Sequence, residues 1–262
     1  MIDYNLVEKD LNKKVKKIIL LIKNDYYCYM SPRKKQILED LIIDEQIVIV
    51  NQGISHFNDN TLAHGGRALM DDKIHFYPDV RGFNTKEAIE TCGKILPHEC
   101  FHYFIQPDRF EIDDKLEREM ANFYTEGLVE RETRKFCKQH EGEVEYKKAN
   151  YGYNINFVNM IQNGLCASGY ENIFSENNYI KDIGKYTAEY KATLKQEKKN
   201  LKIIEEIAKS FPIDMQSKAL RRMRTAVLQD GNTSALKTKL RNFKFIPISY
   251  IEQLDAINEK EL

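Results

Sequence analysis

The sequence predicts an α+β fold, in which residues 1–106 form a small lobe of helices and strands and residues 107–262 form a helical lobe. Two observations support this division. Short segments rich in β-branched residues, at 46–53 and 72–80, favour buried strands. Apolar residues at helical spacing continue through the second part, at about 113–138, 179–209, 214–229 and 233–243. We expect the two lobes to pack as one catalytic domain.

The N-terminal lobe should begin with two helices. Residues 5–24 repeat apolar side chains every three to five positions, which predicts an amphipathic helix. Ser31 and Pro32 suit the N-cap and the first residue of a second helix that runs to about residue 43. The polar, glycine-containing stretch 54–68 predicts a loop.

A third helix is expected after Asn84, an N-cap residue whose capping-box partner is Glu87. Pro97 cannot lie inside an undisturbed helix, because it lacks the backbone N–H and its ring clashes with the carbonyl four residues back. We therefore expect a kink or a new helix start just before His98. The residue before Pro107 should end that helix.

The C-terminal lobe should be helical apart from one long connection. Residues 113–138 predict a charged helix with one buried side. Residues 150–178 are rich in Asn, Gly and Tyr and predict an irregular connection. Its tyrosines are candidates to stabilise a transition state, although the sequence assigns this role to none of them.

Composition and charge are typical of an ordinary globular protein of the cytoplasm. The chain has 40 basic and 40 acidic residues, so its net charge favours neither nucleic acid nor a membrane as partner. The apolar run 18–22 is too short to span a bilayer, and no signal peptide is expected. Five cysteines without paired spacing suggest reduced thiols. Export by a leaderless route remains open.

The segment "LPHECFHYF" contains the HExxH pattern. On a helix, His98 and His102 lie on one face, one turn apart, and can offer ring nitrogens to one metal ion. Glu99 lies about 100° round the helix, where it can take a proton from a water that the cation has acidified. The alternative is a helix in which two histidines are packed or hydrogen-bonded without a metal.

A third metal ligand is expected on the helix that follows. "YTEGLVE" offers Glu126, with Glu130 four residues later on the same face. That pair suits a ligand and a neighbouring carboxylate that orients a ligating histidine through its other ring nitrogen. Glu119, two turns earlier on much the same side, is the competing ligand.

The segments "LPHECFHYF" and "YTEGLVE" together resemble the gluzincin clan of zinc metallopeptidases. The resemblance implies that His98, His102 and Glu126 bind Zn²⁺. It implies that Glu99 is the general base. It also implies a zincin-like fold, with a small mixed sheet and the active-site helix in the N-terminal lobe. The strand at 72–80 would lie at the cleft and pair with an extended substrate.

The segment "KLEREMANFYTEGL" is also similar to a helix of cytosolic anti-repressor metalloproteases of mobile elements. In that family a glutamate before an Ala-Asn pair is the expected ligand. Here Met120 precedes the Ala-Asn pair, so the match is out of step by one residue and would point to Glu119.

These observations lead us to expect a zinc-dependent metallopeptidase that acts on a peptide or protein. One alternative is a non-catalytic or regulatory protein of the anti-repressor type, in which zinc braces two helices. A fourth protein ligand such as His75 would favour it. Another alternative is an interaction module, because residues 191–244 contain 14 basic and five acidic residues.

Overall fold

The computed structural model describes residues 2–52, 66–68, 72–78, 82–105, 115–165, 173–174, 186–230 and 234–254. These residues form one small sheet and a majority of helix, which confirms the α+β class. The helices are α1 (Tyr4–Tyr26), α2 (Pro32–Ile43), α3 (Thr85–Gly93), α4 (Leu96–Ile105), α5 (Lys115–Gln139), α6 (Gly152–Leu165), α7 (Thr187–Lys209), α8 (Ile213–Asp230), α9 (Ser234–Leu240) and α10 (Ile248–Glu252). The strands are β1 (Val48–Val50), β2 (Gly66–Ala68) and β3 (Lys73–Phe76).

The chain divides into two compact units that differ in outline from the expected lobes. The first comprises Met1–Arg109, Glu132–Lys147 and Gly169–Asn178. The second comprises Phe110–Arg131, Lys148–Ser168 and Tyr179–Leu262. Helix α5 is continuous and contributes residues to both units.

The helix starts of the first unit follow from the capping residues. Ser31 accepts a hydrogen bond from the Lys34 N–H, with Pro32 in the first turn of α2. Asn84 and Glu87 form the expected capping box at the start of α3. These helix starts are therefore confirmed.

Helix α4 begins at Leu96, two residues before His98, and Pro97 lies in its first turn. Helix α3 ends at Gly93, and two turn residues separate it from α4. The missing N–H of proline costs nothing in a first turn, because those N–H groups have no partner within the helix. The new helix start is therefore confirmed, and it presents the HExxH residues on one uninterrupted helix.

The sheet has the strand order β1–β3–β2, with β1 parallel and β2 antiparallel to β3. His75 pairs with Ile49 on one side and with Gly66 on the other. The expectation that residues 72–80 offer their backbone to a substrate is wrong for β3, because both of its edges are already paired. Gly66–Ala68 form a strand where a loop was expected, and residues 54–65 lie outside the described part of the chain.

The outer edge of β1 is covered by polar side chains of α1. Asn12 accepts hydrogen bonds from the Ile47 and Val48 N–H groups and donates to the Val48 carbonyl, at 2.7, 2.9 and 2.9 Å. Glu8 accepts from the Val50 N–H at 2.9 Å. Because α1 satisfies these backbone groups, β1 is not an open edge strand.

Two expectations for the second part of the chain are wrong. Residues 152–165 form helix α6, where an irregular connection was expected. Helix α5 is buried on more than one side, because Glu130, Glu132 and Thr133 are fully buried together with its apolar residues. Gly127 explains the close packing of α5 and α6: a Cβ at this position would lie 2.4 Å from the Asn154 carbonyl oxygen.

The second unit has a hydrophobic core built mainly from α7, α8 and the chain that follows them. Helices α7 and α8 pack against each other, and α6 packs on both. The apolar residues of α9 and α10 close the same core, which includes Leu240, Ile246 and Ile251. The predicted helices at 179–209, 214–229 and 233–243 correspond to α7, α8 and α9. Helix α9 ends at Leu240, so the prediction extended this helix three residues too far.

Candidate metal site

Helix α4 is buried along its whole length and is held in place by aromatic packing. Phe101 lies edge-on to Tyr26 of α1 and to Phe136 of α5, with ring centroids 5.8 and 5.3 Å apart. Phe174 packs on Tyr26 at 4.9 Å. Edge-to-face pairs of this kind add about 1 kcal/mol each beyond the burial of their area. The helix that carries the HExxH residues is therefore a fixed element of the first unit.

The two histidines face each other across one turn of α4. Their Nε2 atoms lie 3.1 Å apart, and only 5% of His98 and 9% of His102 is exposed. Two nitrogens bound to one tetrahedral zinc ion at 2.0–2.1 Å lie about 3.3 Å apart. The distance also suits a hydrogen bond between neutral rings in which one Nε2–H donates. The pair is thus close to ligand geometry without any change of rotamer.

Glu126 of α5 completes a group that could bind a metal ion. One ligand atom from each of His98, His102 and Glu126 lies within 4.8 Å of the other two. Two imidazoles and one carboxylate fit Zn²⁺, which uses three such ligands in catalytic sites and leaves a fourth position for water. Among the described residues, no further His, Cys, Asp or Glu joins this group. Neither His75 nor a described cysteine therefore closes the site.

Glu99 follows the first histidine on α4 and is buried, with 8% of the residue exposed. The helical phase places it beside the histidine face. Its charge helps to raise the pKa of the neighbouring Cys100 thiol, after the larger effect of burial. A carboxylate at this position is where the HExxH pattern requires its proton acceptor.

The other predicted site residues lie elsewhere on α5. Glu130 is fully buried one turn after Glu126, and its Oε1 accepts a hydrogen bond from the Ala149 N–H at 3.1 Å. Its role in orienting a histidine stays a prediction. Glu119 is exposed near Tyr190, where its charge contributes, after burial, to a raised pKa of that phenol. The structure does not include Glu119 in the metal-binding group.

The remaining histidines of the described chain have other hydrogen-bond partners. Asn51 donates its side-chain amide to Nδ1 of His75 at 3.0 Å, which leaves the ring proton of neutral His75 on Nε2. His140 Nε2 lies 2.7 Å from Asp25 at the end of α1. His56 and His64 lie outside the described residues. Neither His75 nor His140 belongs to the metal-binding group of the described residues.

Sequence patterns did not reveal what positions Glu126. Gly127 follows the ligand directly and allows α6 to approach the backbone of α5. Asn154 of α6 donates to the Phe123 carbonyl at 3.0 Å, on the turn before Glu126. The one available signal was the glycine itself, because a glycine inside a charged helix costs about 1 kcal/mol relative to alanine and therefore calls for a packing reason.

Comparison with protein-family models, curated proteins and solved structures found no match. The site is therefore interpreted from its own geometry. In the part of the chain that the structure describes, no helix has both the length and the apolar character needed to cross a membrane.

Proposed function

We propose that the protein is a zinc-dependent metallopeptidase. The observation that carries the proposal is the convergence of His98, His102 and Glu126, with ligand atoms within 4.8 Å of one another, beside the buried carboxylate of Glu99. Three protein ligands from the described chain leave room for a water, which is the arrangement of catalytic rather than structural zinc. The fold that we propose is zincin-like, with α4 as the active-site helix.

The roles of the chain's own residues follow from their positions. Zn²⁺ held there would lower the pKa of a water and polarise the peptide carbonyl. His98, His102 and Glu126 would hold the ion in place. Glu99 accepts the proton of the attacking water and then delivers it to the amine nitrogen as the peptide bond breaks. Both transfers use one carboxylate, so replacing Glu99 should abolish turnover but leave the ligands intact.

The position of strand β2 favours a peptide as the substrate. It lies at the edge of the sheet, it is antiparallel to β3, and it contacts α4. Within the described residues, β3 is its one strand partner. An extended peptide that added to the outer edge of β2 would gain backbone hydrogen bonds next to the active-site helix. We therefore assign to β2 the substrate-pairing role that the resemblance to gluzincins implied for residues 72–80.

The test measures zinc content and peptide cleavage on the same set of purified variants. We expect about one zinc per chain in the wild type and in Glu99→Gln, and none in His102→Ala or Glu126→Ala. Glu119→Ala is the matched control, since it removes a carboxylate two turns away on the same helix. Cleavage of a peptide library should fall at least about 100-fold in Glu99→Gln, the usual loss when a general base is removed.

Three outcomes would contradict parts of the proposal. If the wild type, supplied with zinc, binds none, the group is not a metal site and the peptidase is refuted. If Glu126→Ala retains zinc and Glu119→Ala loses it, the third ligand is Glu119 and not Glu126. Zinc bound without cleavage would favour the zinc-braced, non-catalytic protein, which the complete burial of α4 also fits.

A further inference from the structure

One end of the second unit exposes large apolar side chains that its core does not use. Ile213 and Met215 lie at the start of α8, and Phe243, Phe245 and Ile248 lie between α9 and the first residue of α10. Ile213 is 89% exposed, Ile248 63% and Phe245 50%. We call these five residues the apolar patch. Clusters of this kind mark interaction sites, because single exposed apolar residues are common but grouped ones are not.

The aromatic part of the apolar patch is packed on the core of the second unit. Phe243 and Phe245 pack on Phe211, with ring centroids 5.4 and 5.1 Å apart, and lie 5.6 Å from each other. Backbone hydrogen bonds from the Phe243 N–H to the Leu240 carbonyl and from the Ile246 N–H to the Phe243 carbonyl fix the turn. Ile246, within the same turn, is buried in the core. The chain therefore buries one residue of this turn and presents its neighbours to solvent.

Basic residues accompany three of the five patch residues in the sequence. Residues 231–251 contain Lys237, Lys239, Arg241 and Lys244 and no Asp or Glu. Of these four, Lys239, Arg241 and Lys244 are exposed. Acidic residues border this segment in the sequence: Asp230 and Glu252 stand at its two ends, and Asp214 lies between Ile213 and Met215. Glu206 of α7 is paired with Lys209 at 2.7 Å. The segment that carries Phe243, Phe245 and Ile248 therefore has a net positive charge, although the whole chain is neutral.

We propose that the apolar patch docks the protein on an anionic membrane surface. Apolar tips enter the boundary between headgroups and acyl chains, while lysines and arginines remain with acidic headgroups. Single-stranded nucleic acid fits less well, because the most exposed residues, Ile213 and Ile248, have no aromatic face on which a base could stack. The patch is built from turns at helix ends, not from two facing helices that would form a groove for a partner helix.

The proposal is independent of the metal site and can be tested with the full-length chain. We expect sedimentation with phosphatidylcholine vesicles that contain phosphatidylserine and little with phosphatidylcholine alone. Phe243→Ser/Phe245→Ser should weaken binding at least tenfold. Ile43→Ser is the matched control, because Ile43 is 77% exposed on α2, in the first unit, and should not matter. Lys239→Gln and Lys244→Gln should each weaken binding about fivefold, and added salt should weaken it further.

Because the two phenylalanines also pack on Phe211, Ile248→Ser provides a second variant that removes no ring contact. It should unfold like the wild type and bind vesicles more weakly. The proposal is overturned if the wild type does not bind phosphatidylserine vesicles, or if it binds both kinds of vesicle equally. It is also overturned if the patch variants bind as well as Ile43→Ser. If the protein binds labelled polyuridine and not vesicles, the membrane proposal is overturned and the partner of the apolar patch is single-stranded nucleic acid.

Discussion

Replacing Gly127 by alanine tests how the position of the third metal ligand is maintained. An alanine Cβ would lie 2.4 and 2.5 Å from the carbonyl oxygen and carbon of Asn154, and 2.8 Å from Cγ2 of Val158. Two of these three atoms belong to the backbone of α6, so a side-chain rotation cannot relieve the contact. Helices α5 and α6 must move apart next to Glu126.

The energetic balance predicts a destabilised protein. Alanine favours the helix by about 1 kcal/mol relative to glycine. Forcing an extra methyl into a filled interface costs about 1–3 kcal/mol, and contacts this short belong at the upper end. Separating the helices also strains the 3.0 Å hydrogen bond from Asn154 to the Phe123 carbonyl, worth about 1 kcal/mol. We therefore expect a net loss of about 2–3 kcal/mol.

Urea denaturation and zinc titration measure the two consequences of Gly127→Ala. The urea midpoint should fall, and zinc affinity should fall with it because the Glu126 carboxylate moves. Gly93→Ala is the matched control: it is also a helical glycine, but its added Cβ would meet chiefly the flexible end of Lys14, at 3.2 Å from Nζ. If Gly127→Ala is as stable as Gly93→Ala and binds zinc like the wild type, the packing argument is refuted.

Three further predictions concern other parts of the molecule. Asn12→Ala leaves three backbone groups of residues 47–48 without their hydrogen bonds and should cost about 3 kcal/mol in urea denaturation; a loss below about 1 kcal/mol would contradict the role of Asn12. At pH 8, an alkylating reagent should label exposed Cys28 of the native protein and not Cys92, because burial raises the pKa of the Cys92 thiol to about 12. Mass spectrometry of the peptides measures the labelling, and labelling of Cys92 as fast as that of Cys28 would contradict its burial. Chelation should lower the melting temperature of wild type and Glu99→Gln by several degrees, since zinc at 100 times its Kd adds about 2.7 kcal/mol, and it should leave Glu126→Ala unchanged.

Local sequence signals predicted the elements whose causes are local. The capping box at Asn84, the Ser31–Pro32 helix start and the break near Pro97 each depend on a few adjacent residues. Helix α6 was missed because Asn, Gly and Tyr have low intrinsic helix preference. Its buried residues, including Tyr153 and Phe157, are stabilised by packing in the second unit, which a local pattern does not contain.

The strand pairing was equally beyond local signals. Nothing in the composition of residues 66–68 marks them as a strand, yet they pair with β3 in register and become the edge of the sheet. The hydrogen bonds from α1 to the edge of β1 could not be predicted from the sequence for a related reason. Asn12 lies among apolar residues on the buried face of α1, and its function depends on a strand 35 residues later in the chain. Long-range hydrogen bonds of this kind leave no periodic trace in the sequence.

The choice between Glu126 and Glu119 shows how helical phase and helix position contribute separately to the site. Seven residues turn a helix through almost two full turns, so both carboxylates lie on much the same side and phase alone cannot separate them. They differ by about 10.5 Å along the axis, at 1.5 Å per residue. To bring Glu119 to the histidines, α5 would have to slide by that distance, which would remove Phe136 from Phe101 and Gly127 from α6. The packing at both ends of α5 therefore favours Glu126, and zinc content in the two alanine variants tests that argument directly.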